Sequence, residues 1–277
     1  MCGGVRRAIQ LLEEATENAG SMPVCVLHEI VHNNFIIRQF EEKGVRMINS
    51  AEEVQEGAYV VFSAHGVSRE MEDAVRKRAA KVTDATCPLV KKLHQSAAEA
   101  DQAGQLILLL GHLHHPEVDG ILGQLPPGRI HLMQTPDDPD LPEAKPGQKV
   151  RFLTQTTLDT AWIEQAQERL LRHYGDALQM ESGICYATRD RQDAVRKLAK
   201  RSDLVIVAGS PRSSNSNRLR EVASEITPAV LVDTPEEIET LDLQNVQIIG
   251  LTAGASVPDE LTDRIRHALH QLGYCEG

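Results

Sequence analysis

Short apolar runs alternate along the chain with longer stretches in which apolar residues recur at every third or fourth position. The short runs have the length of buried strands, and the longer stretches have the periodicity of amphipathic helices. This alternation predicts an α/β fold with mostly parallel sheets that are covered by helices. The pattern predicts strands over residues 59–62, 105–110, 150–153, 204–207 and 246–250, and helices over residues 70–80, 162–174 and 261–272.

The order of these elements repeats three times. In each repeat a cysteine precedes a helix, which is followed by a strand and a polar loop, and then by a second helix, strand and polar loop. The first polar loop comes 30 residues after the cysteine in the first repeat (Cys2 to His32), and 28 residues after it in the second and third. A repeat of this length predicts three similar small α/β units. We place the units at residues 1–86, 87–184 and 185–277.

The repeat puts Cys2, Cys87 and Cys185 at equivalent positions. Parallel sheets gather ligand-binding groups at the carboxyl ends of their strands, so the three thiols can meet if the units surround a pseudo-threefold axis. Three thiolates suit a central iron–sulfur cluster, and a four-iron cluster on three cysteines leaves one iron open to a substrate. A zinc site is less favoured, although a histidine of the polar loops could serve as the fourth ligand. Any one cysteine alone would more often be a buried, inert thiol.

The six polar loops contain most of the residues that can bind a ligand. Many of them immediately precede a predicted helix, so backbone N–H groups and helix dipoles point toward one place, and this arrangement binds phosphate. Local capping is the alternative for two of them, because Ser256 begins a capping box that ends at Asp259 and Ser213 can cap the next helix. The candidate ligand-binding residues are His32, His65, His115, Thr156, Thr157, Ser213, Ser214, Asn215 and Ser256.

Glu117 lies two residues after His115, at the start of a predicted helix. A carboxyl group at this position can serve only as a partner of the helix dipole. In a dry pocket beside a cluster it can instead donate a proton, and we favour that role. Because an isolated buried carboxylate is costly, we expect His115 or Thr156 to support it.

The composition narrows the class of protein. A net charge of −11 and only 3% aromatic residues argue against a nucleic-acid surface, although a locally positive pocket can still bind a small anion. No apolar run is long enough to span a membrane and the N-terminus has no signal-peptide pattern, so we expect a cytoplasmic protein. The five cysteines are widely spaced without a CxxC pair, which predicts no disulfide framework. We expect Cys25 to be a core residue and Cys275 to be incidental.

Together the loops resemble those of the 4-hydroxy-3-methylbut-2-enyl diphosphate reductases, the IspH or LytB family. The resemblance covers nearly the whole chain, in order, and its motifs are highly specific as a set. The matching segments are HEIVHN at 28–33, FSAHGVS at 62–68, DATCPLVKKLH at 84–94, HPEVDGILGQ at 115–124, TQTTL at 154–158, ICYATRDRQDAV at 184–195, SSNSNRL at 213–219 and TAGASVPD at 252–259.

The resemblance implies an iron–sulfur oxidoreductase that performs the last step of the methylerythritol phosphate route to isoprenoids. The enzyme would remove the hydroxyl of an allylic alcohol diphosphate as water, using two electrons and two protons, to give isopentenyl and dimethylallyl diphosphates. The resemblance also implies that Cys2, Cys87 and Cys185 hold one [4Fe-4S] cluster, and that a ferredoxin or flavodoxin supplies the electrons. Glu117, with Thr156 as a relay, would deliver protons. The polar-loop residues given above as candidates would hold the diphosphate.

The chain differs from the family pattern in three places. The usual Gly-Phe-Cys-Ala-Gly is Met1-Cys2-Gly3-Gly4 here, so the strand before the first cysteine is absent, and the C-terminal tail of the family is missing too. We hypothesise that the true start lies upstream. Arg212 stands where asparagine is usual, beside the phosphate loop, where it can strengthen diphosphate binding or simply face water.

Two other functions stay open at this point. One is a different lyase or dehydratase that uses an open cluster on the same ligands, and the order of the polar loops argues against it. The other is a truncated or degenerate relative that binds metal or a partner without turnover. The missing terminal strand favours this second possibility, whereas the presence of Glu117 and all three loop histidines argues against it.

Overall fold

A computed structural model of the protein describes residues 1–181 and 183–275, so the last two residues of the third unit lie outside the described part. The described residues form strands and helices in alternation, which confirms the predicted α/β class. The strands are β1 (Val24–Leu27), β2 (Arg46–Ile48), β3 (Tyr59–Phe62), β4 (Lys81–Asp84), β5 (Leu106–Leu110), β6 (Ile130–Met133), β7 (Val150–Thr154), β8 (Leu178–Met180), β9 (Leu204–Ala208), β10 (Ala229–Val232) and β11 (Ile249–Ala253). The helices are α1 (Gly3–Glu17), α2 (Asn34–Glu42), α3 (Arg69–Arg78), α4 (Pro88–Gln102), α5 (Pro116–Leu122), α6 (Thr160–Tyr174), α7 (Tyr186–Ala199), α8 (Ser214–Ser224) and α9 (Asp259–Gln271).

The strands form three small sheets, and every strand pairing in the described part of the chain is parallel. Their orders are β2-β1-β3-β4, β6-β5-β7-β8 and β10-β9-β11. The strand that leads into each later cysteine belongs to the preceding sheet: β4 pairs with β3 before Cys87, and β8 pairs with β7 before Cys185. These strands therefore deliver the cysteines to the borders between neighbouring units.

Each sheet is buried on both faces. Alternate residues of a strand point to opposite faces, so β5 places Ile107 and Leu109 in one apolar cluster and Leu108 and Leu110 in another. The first and third sheets separate pairs of clusters in the same way. Burial on both faces explains why the central strands are continuous apolar runs in the sequence. Cys25 is fully buried in the first of these sheets, which confirms its expected place in the core.

One predicted strand is displaced. The apolar pattern predicts a strand over residues 246–250, but β11 begins at Ile249. The Asp203 carboxylate accepts hydrogen bonds from the backbone N–H groups of Gln247, at 3.0 Å, and Ile248, at 2.8 Å. These bonds hold both residues in a loop, where the Ile248 side chain is 57% exposed.

In the described part of the chain, no helix is both long enough and apolar enough to cross a bilayer.

We predict that Leu109→Ala lowers the free energy of unfolding by about 2–5 kcal/mol, because it leaves a cavity in the centre of the second sheet. Leu109 is fully buried, whereas Leu171 on α6 is 54% exposed. The matched control Leu171→Ala should therefore change the free energy of unfolding by less than about 0.5 kcal/mol. Urea denaturation measures both values, and equal effects of the two substitutions would contradict the packing described here.

Candidate active site

The loops at the carboxyl ends of the central strands surround one pocket that draws residues from all three units. All thirteen residues that the sequence analysis selects line this pocket. They are Cys2, His32, His65, Cys87, His115, Glu117, Thr156, Thr157, Cys185, Ser213, Ser214, Asn215 and Ser256. Cys25 lies in the core and Cys275 is exposed, and neither lines the pocket.

The three cysteines begin the helices α1, α4 and α7, at the position where a helix presents free N–H groups. Val5 donates its N–H to the Cys2 sulfur at 3.5 Å. Burial raises the pKa of the Cys87 thiol, and backbone hydrogen bonds from the start of α4 oppose this shift. The same two influences act in the same directions on the pKa of Cys185. All three cysteines are free thiols, and at Cys87 and Cys185 the helix start partly offsets the effect of burial on the thiol pKa.

Helix α1 approaches Cys87 very closely. A Cβ atom built on Gly4 would lie 2.7 Å from the Cys87 sulfur, so only glycine fits at this position without a shift. Within residues 1–181 and 183–275, no three His, Cys, Asp or Glu side chains converge as ligands of a single metal ion. The three thiols nevertheless line the same pocket and influence one another, because Cys185 and Cys2 add to the effect of burial in raising the pKa of Cys87. The donor chemistry of three such thiols suits a multinuclear iron–sulfur group.

Three histidines form a cluster on another wall of the pocket. The rings of His32 and His65 stack with centroids 4.2 Å apart, and His115 meets them edge-on at 5.8 and 6.0 Å. Burial lowers the pKa of His65 well below its usual value and lowers the pKa of His115 to about 3. The Glu117 N–H donates to Nδ1 of His115 at 3.2 Å, so the neutral ring carries its proton on Nε2 and can donate it to a ligand.

Glu117 is a buried acid whose pKa lies near neutral pH. Its side chain is 2% exposed, and burial raises its pKa to about 7. The Thr156 backbone N–H and hydroxyl each donate to one carboxyl oxygen at 2.7 Å, which partly opposes the shift. We expected His115 or Thr156 to support this carboxyl group, and Thr156 is the residue that forms hydrogen bonds with it. His115 instead accepts a hydrogen bond from the Glu117 backbone.

Hydroxyl and amide groups line the third wall. The hydroxyls of Thr157 and Ser214 are 2.9 Å apart, and Ser213 caps α8 by accepting the Ser216 N–H at 3.3 Å. Both polar atoms of the Asn215 side chain are buried without a hydrogen-bond partner among the described residues. An unpaired buried amide costs about 1–3 kcal/mol, so this side chain indicates a polar ligand.

Ser256 does not form the expected capping box. Helix α9 begins after Pro258, which is its N-cap residue, and Ser256 donates its hydroxyl proton to the His32 carbonyl at 3.2 Å. This bond joins the third unit to the first, 224 residues apart in sequence. Ser213 does cap α8, as the alternative interpretation predicts, and it also lines the pocket.

Two polar residues next to this pocket are not among the candidates predicted from the sequence. Gln155 donates its side-chain N–H to Thr157 at 3.0 Å and to Ser214 at 3.4 Å, which orients both hydroxyls. Glu29 lies 3.0 Å from Nδ1 of His32 and pairs with Arg212. Both residues lie in polar loops of the repeat, Gln155 directly before Thr156 and Glu29 three residues before His32, and this proximity in sequence was the available signal. Arg212 itself does not line the pocket.

Comparison with known proteins identifies the family. The sequence model of the LytB protein family matches residues 1–270. A 4-hydroxy-3-methylbut-2-enyl diphosphate reductase of Histophilus somni is 45% identical, and the match covers 98% of this chain and 88% of that protein. The reductase of the same name from Nitrosomonas europaea is 42% identical, over 98% of this chain and 85% of that protein.

Solved structures give the same result. The E-1-hydroxy-2-methyl-but-2-enyl-4-diphosphate reductase of Plasmodium falciparum superposes with a TM-score of 0.90 at 33% identity, over 97% of this chain and 85% of that one. An (E)-4-hydroxy-3-methyl-but-2-enyl diphosphate reductase, described as the terminal enzyme of the non-mevalonate pathway, superposes with a TM-score of 0.70 at 31% identity. That match covers 98% of this chain and 96% of the other. With its three-sheet fold, its shared pocket and these relatives, the chain belongs to the LytB family of oxidoreductases.

Proposed function

We propose that the chain reduces 4-hydroxy-3-methylbut-2-enyl diphosphate to isopentenyl and dimethylallyl diphosphates, the last step of the methylerythritol phosphate pathway. Two electrons and two protons enter, the carbon–oxygen bond of the allylic alcohol breaks, and the hydroxyl leaves as water. One observation carries this proposal: three thiols, a buried carboxyl whose pKa is raised to about 7 and a set of hydroxyl, amide and imidazole groups line a single pocket. The names of the relatives at 41–45% identity support the same substrate.

Cys2, Cys87 and Cys185 would hold one [4Fe-4S] cluster. Three free thiols at three helix N-termini support this assignment, because thiolates are the ligands that such clusters require. When bound, the cluster would supply electrons and a Lewis-acidic iron that makes the hydroxyl a better leaving group. The pocket lining joins these thiols directly to Glu117 and Thr156, so the reacting end of the substrate would lie between them.

The diphosphate would bind between the hydroxyl and amide groups of the pocket and its three imidazoles. The hydroxyl and amide groups include Ser213, Ser214 and Asn215 at the start of α8, where the helix dipole favours negative charge. The unpaired amide of Asn215 would find its partner in a phosphate oxygen. Because no Lys or Arg is among the described lining residues, neutral donors and the helix terminus must compensate the anion. The remaining diphosphate ligands would be His32, His65, His115, Thr157 and Ser256.

Glu117 would deliver a proton to the substrate, either directly or through the Thr156 hydroxyl. Its raised pKa keeps a large fraction of the carboxyl protonated at neutral pH, which is the form that an acid catalyst needs. The two hydrogen bonds from Thr156 fix the carboxyl in one orientation. The buried position excludes water that would otherwise exchange with this proton.

A ferredoxin or flavodoxin would supply the electrons, one at a time. The first residue after each cysteine is exposed, so the surface beside the thiols reaches solvent at Gly3, Pro88 and Tyr186. Each of the three helices carries two basic residues four to six positions after its cysteine, on a chain whose net charge is −11. Three acidic neighbours, Asp84, Glu181 and Asp190, offset half of this charge. The basic residues are Arg6, Arg7, Lys91, Lys92, Arg189 and Arg191.

The remaining positive charge suits an electron carrier with an acidic surface. A cytoplasmic location also fits this chemistry, because the reducing cytosol keeps the three cluster cysteines as thiols.

We predict that Cys87→Ser lowers the iron content of the protein after anaerobic reconstitution with iron and sulfide. The wild type should bind about four irons per chain. Cys25→Ser is the matched control, because Cys25 is buried in the first sheet away from the pocket. It should retain the full iron content, and loss of iron in this variant would show that the cluster ligands are assigned incorrectly.

Glu117→Gln should lower kcat about 10²- to 10⁴-fold, because the amide cannot deliver the proton. The variant should keep its iron and should bind inorganic pyrophosphate as the wild type does, because the glutamine side chain has nearly the same shape as the glutamate side chain. The exposed Glu164 on α6 gives the control Glu164→Gln, with wild-type kcat. A Glu117→Gln variant within about twofold of the wild-type rate would remove Glu117 as the donor.

The pH profile of kcat tests the same role. The protonated carboxyl is the active form and its pKa is about 7, so kcat should be constant at low pH and fall as pH rises above 7. The decline should approach about tenfold per pH unit. Glu117→Gln should lose this limb of the profile, and its persistence in the variant would assign the titration to another group.

Neutralising the three basic residues that the acidic neighbours named above do not offset should weaken electron delivery by a protein donor. We expect Arg6→Gln with Arg7→Gln and Arg191→Gln to raise KM for a bacterial ferredoxin about tenfold at low salt, with a smaller effect at high salt. The rate with reduced methyl viologen should change less than about twofold. The control variant neutralises Lys145, Lys149 and Arg172, which are exposed on the second unit. Equal effects of the two variants would place the donor elsewhere.

A further inference from the structure

We infer that Glu29 is a positioning residue for His32, and that Arg212 joins Glu29 in a bridge between the first and third units that holds the His32 imidazole toward the diphosphate. This inference rests on the proposed function for the identity of the ligand. The positioning itself rests on contacts outside the pocket, since neither Glu29 nor Arg212 is among the lining residues.

The two carboxylate oxygens of Glu29 have different partners. Oε2 lies 3.0 Å from Nδ1 of His32, and Oε1 forms an ion pair with the Arg212 guanidinium. Because a carboxylate only accepts hydrogen bonds, Nδ1 must carry a proton, and Nε2 is left for the ligand. The ring cannot turn freely, because it stacks on His65 with an interplanar angle of 27°. Glu29 therefore selects which edge of the stacked ring meets the pocket.

His115 is held by the opposite arrangement. Its Nδ1 accepts the Glu117 backbone N–H, whereas Nδ1 of His32 donates to a carboxylate. The Glu29 carboxylate behind Nδ1 can balance a proton that Nε2 shares with a phosphate oxygen, which makes that hydrogen bond charge-assisted. Because no Lys or Arg is among the described lining residues, this hydrogen bond would be one of the stronger contacts that the pocket offers to the anion.

Arg212 connects this arrangement to the phosphate loop of the third unit. One guanidinium nitrogen pairs with Glu29, and the other donates to the side-chain oxygen of Asn34. Asn34 in turn donates to Asp233 and, at 3.4 Å, to Ser210. Arg212 immediately precedes Ser213 and Ser214, so the bridge fixes the first polar loop against the start of α8.

The bridge depends on the length of the arginine side chain. Asparagine, which is usual at this position in the family pattern, is too short to reach Glu29 from the same backbone position. The Arg212 side chain is 52% exposed, and exposed ion pairs contribute little to stability. Removing the bridge should therefore affect ligand binding more than folding.

The test is a double-mutant cycle on the reconstituted protein with Glu29→Gln, Arg212→Asn and the combined variant. Arg172→Asn is the control, because Arg172 forms only an exposed ion pair with Glu168 at 3.8 Å on α6. Calorimetry measures the Kd for inorganic pyrophosphate, and steady-state assays measure KM and kcat for the allylic diphosphate. Glu29→Gln should raise both Kd and KM about tenfold, with kcat within about twofold of the wild type. Arg212→Asn should raise them about threefold, and the combined variant should match Glu29→Gln alone.

A spectroscopic readout separates positioning from a general loss of structure. In ¹⁵N-histidine NMR spectra, Nδ1 of His32 should appear protonated in the wild type and in the control, and should change to a tautomer mixture in Glu29→Gln. Additive effects of the two substitutions would instead show that Arg212 binds the anion by itself. An unchanged His32 signal in Glu29→Gln, or a fall in kcat with constant KM, would overturn the inference. The Kd and the spectra need no turnover, so they decide the role of Glu29 even if the allylic diphosphate proves not to be the substrate.

Discussion

The meeting of three parallel sheets at the carboxyl ends of their strands is the constraint on which the rest of the structure depends. Each sheet delivers two polar loops to the same pocket, and β4 and β8 carry the second and third cysteines across the borders between units. Contacts that join distant parts of the chain hold the pocket together, such as the bond from Ser256 to the His32 carbonyl. No single unit contains the site, because every wall needs residues from its neighbours.

Burial of the groups that line this pocket sets their chemistry. Burial raises the pKa of Glu117 and lowers the pKa of His65 and His115, so the acid titrates near neutral pH and these two imidazoles stay neutral there. Neutral donors bind an anion well only when their hydrogen bonds are fixed in advance. Thr156 fixes the carboxyl of Glu117 in this way. Gln155 orients the hydroxyls of Thr157 and Ser214, and Glu29 orients the ring of His32.

The parts of the fold that could be predicted are those set by local pattern. The strand at 59–62 agrees with β3 because it is buried on both faces, whereas the strand at 246–250 is displaced by hydrogen bonds to Asp203, which no apolar pattern records. The three-residue edge strand β2 was not predicted, because it is partly exposed and too short to show a period. The candidate residues could be selected because their loops repeat in sequence. The partners Glu29 and Arg212 could not be paired, because their contact spans two units and no local rule encodes it.

The central claim is that the three thiols, the buried acid and the donor wall act together on one diphosphate. The most direct measurement is anaerobic reconstitution with iron and sulfide, followed by a turnover assay with the allylic diphosphate and a chemical one-electron donor. The account predicts about four irons per chain and conversion to both isoprenoid diphosphates with release of water. A protein that binds the cluster and pyrophosphate but leaves the allylic diphosphate unchanged would contradict it.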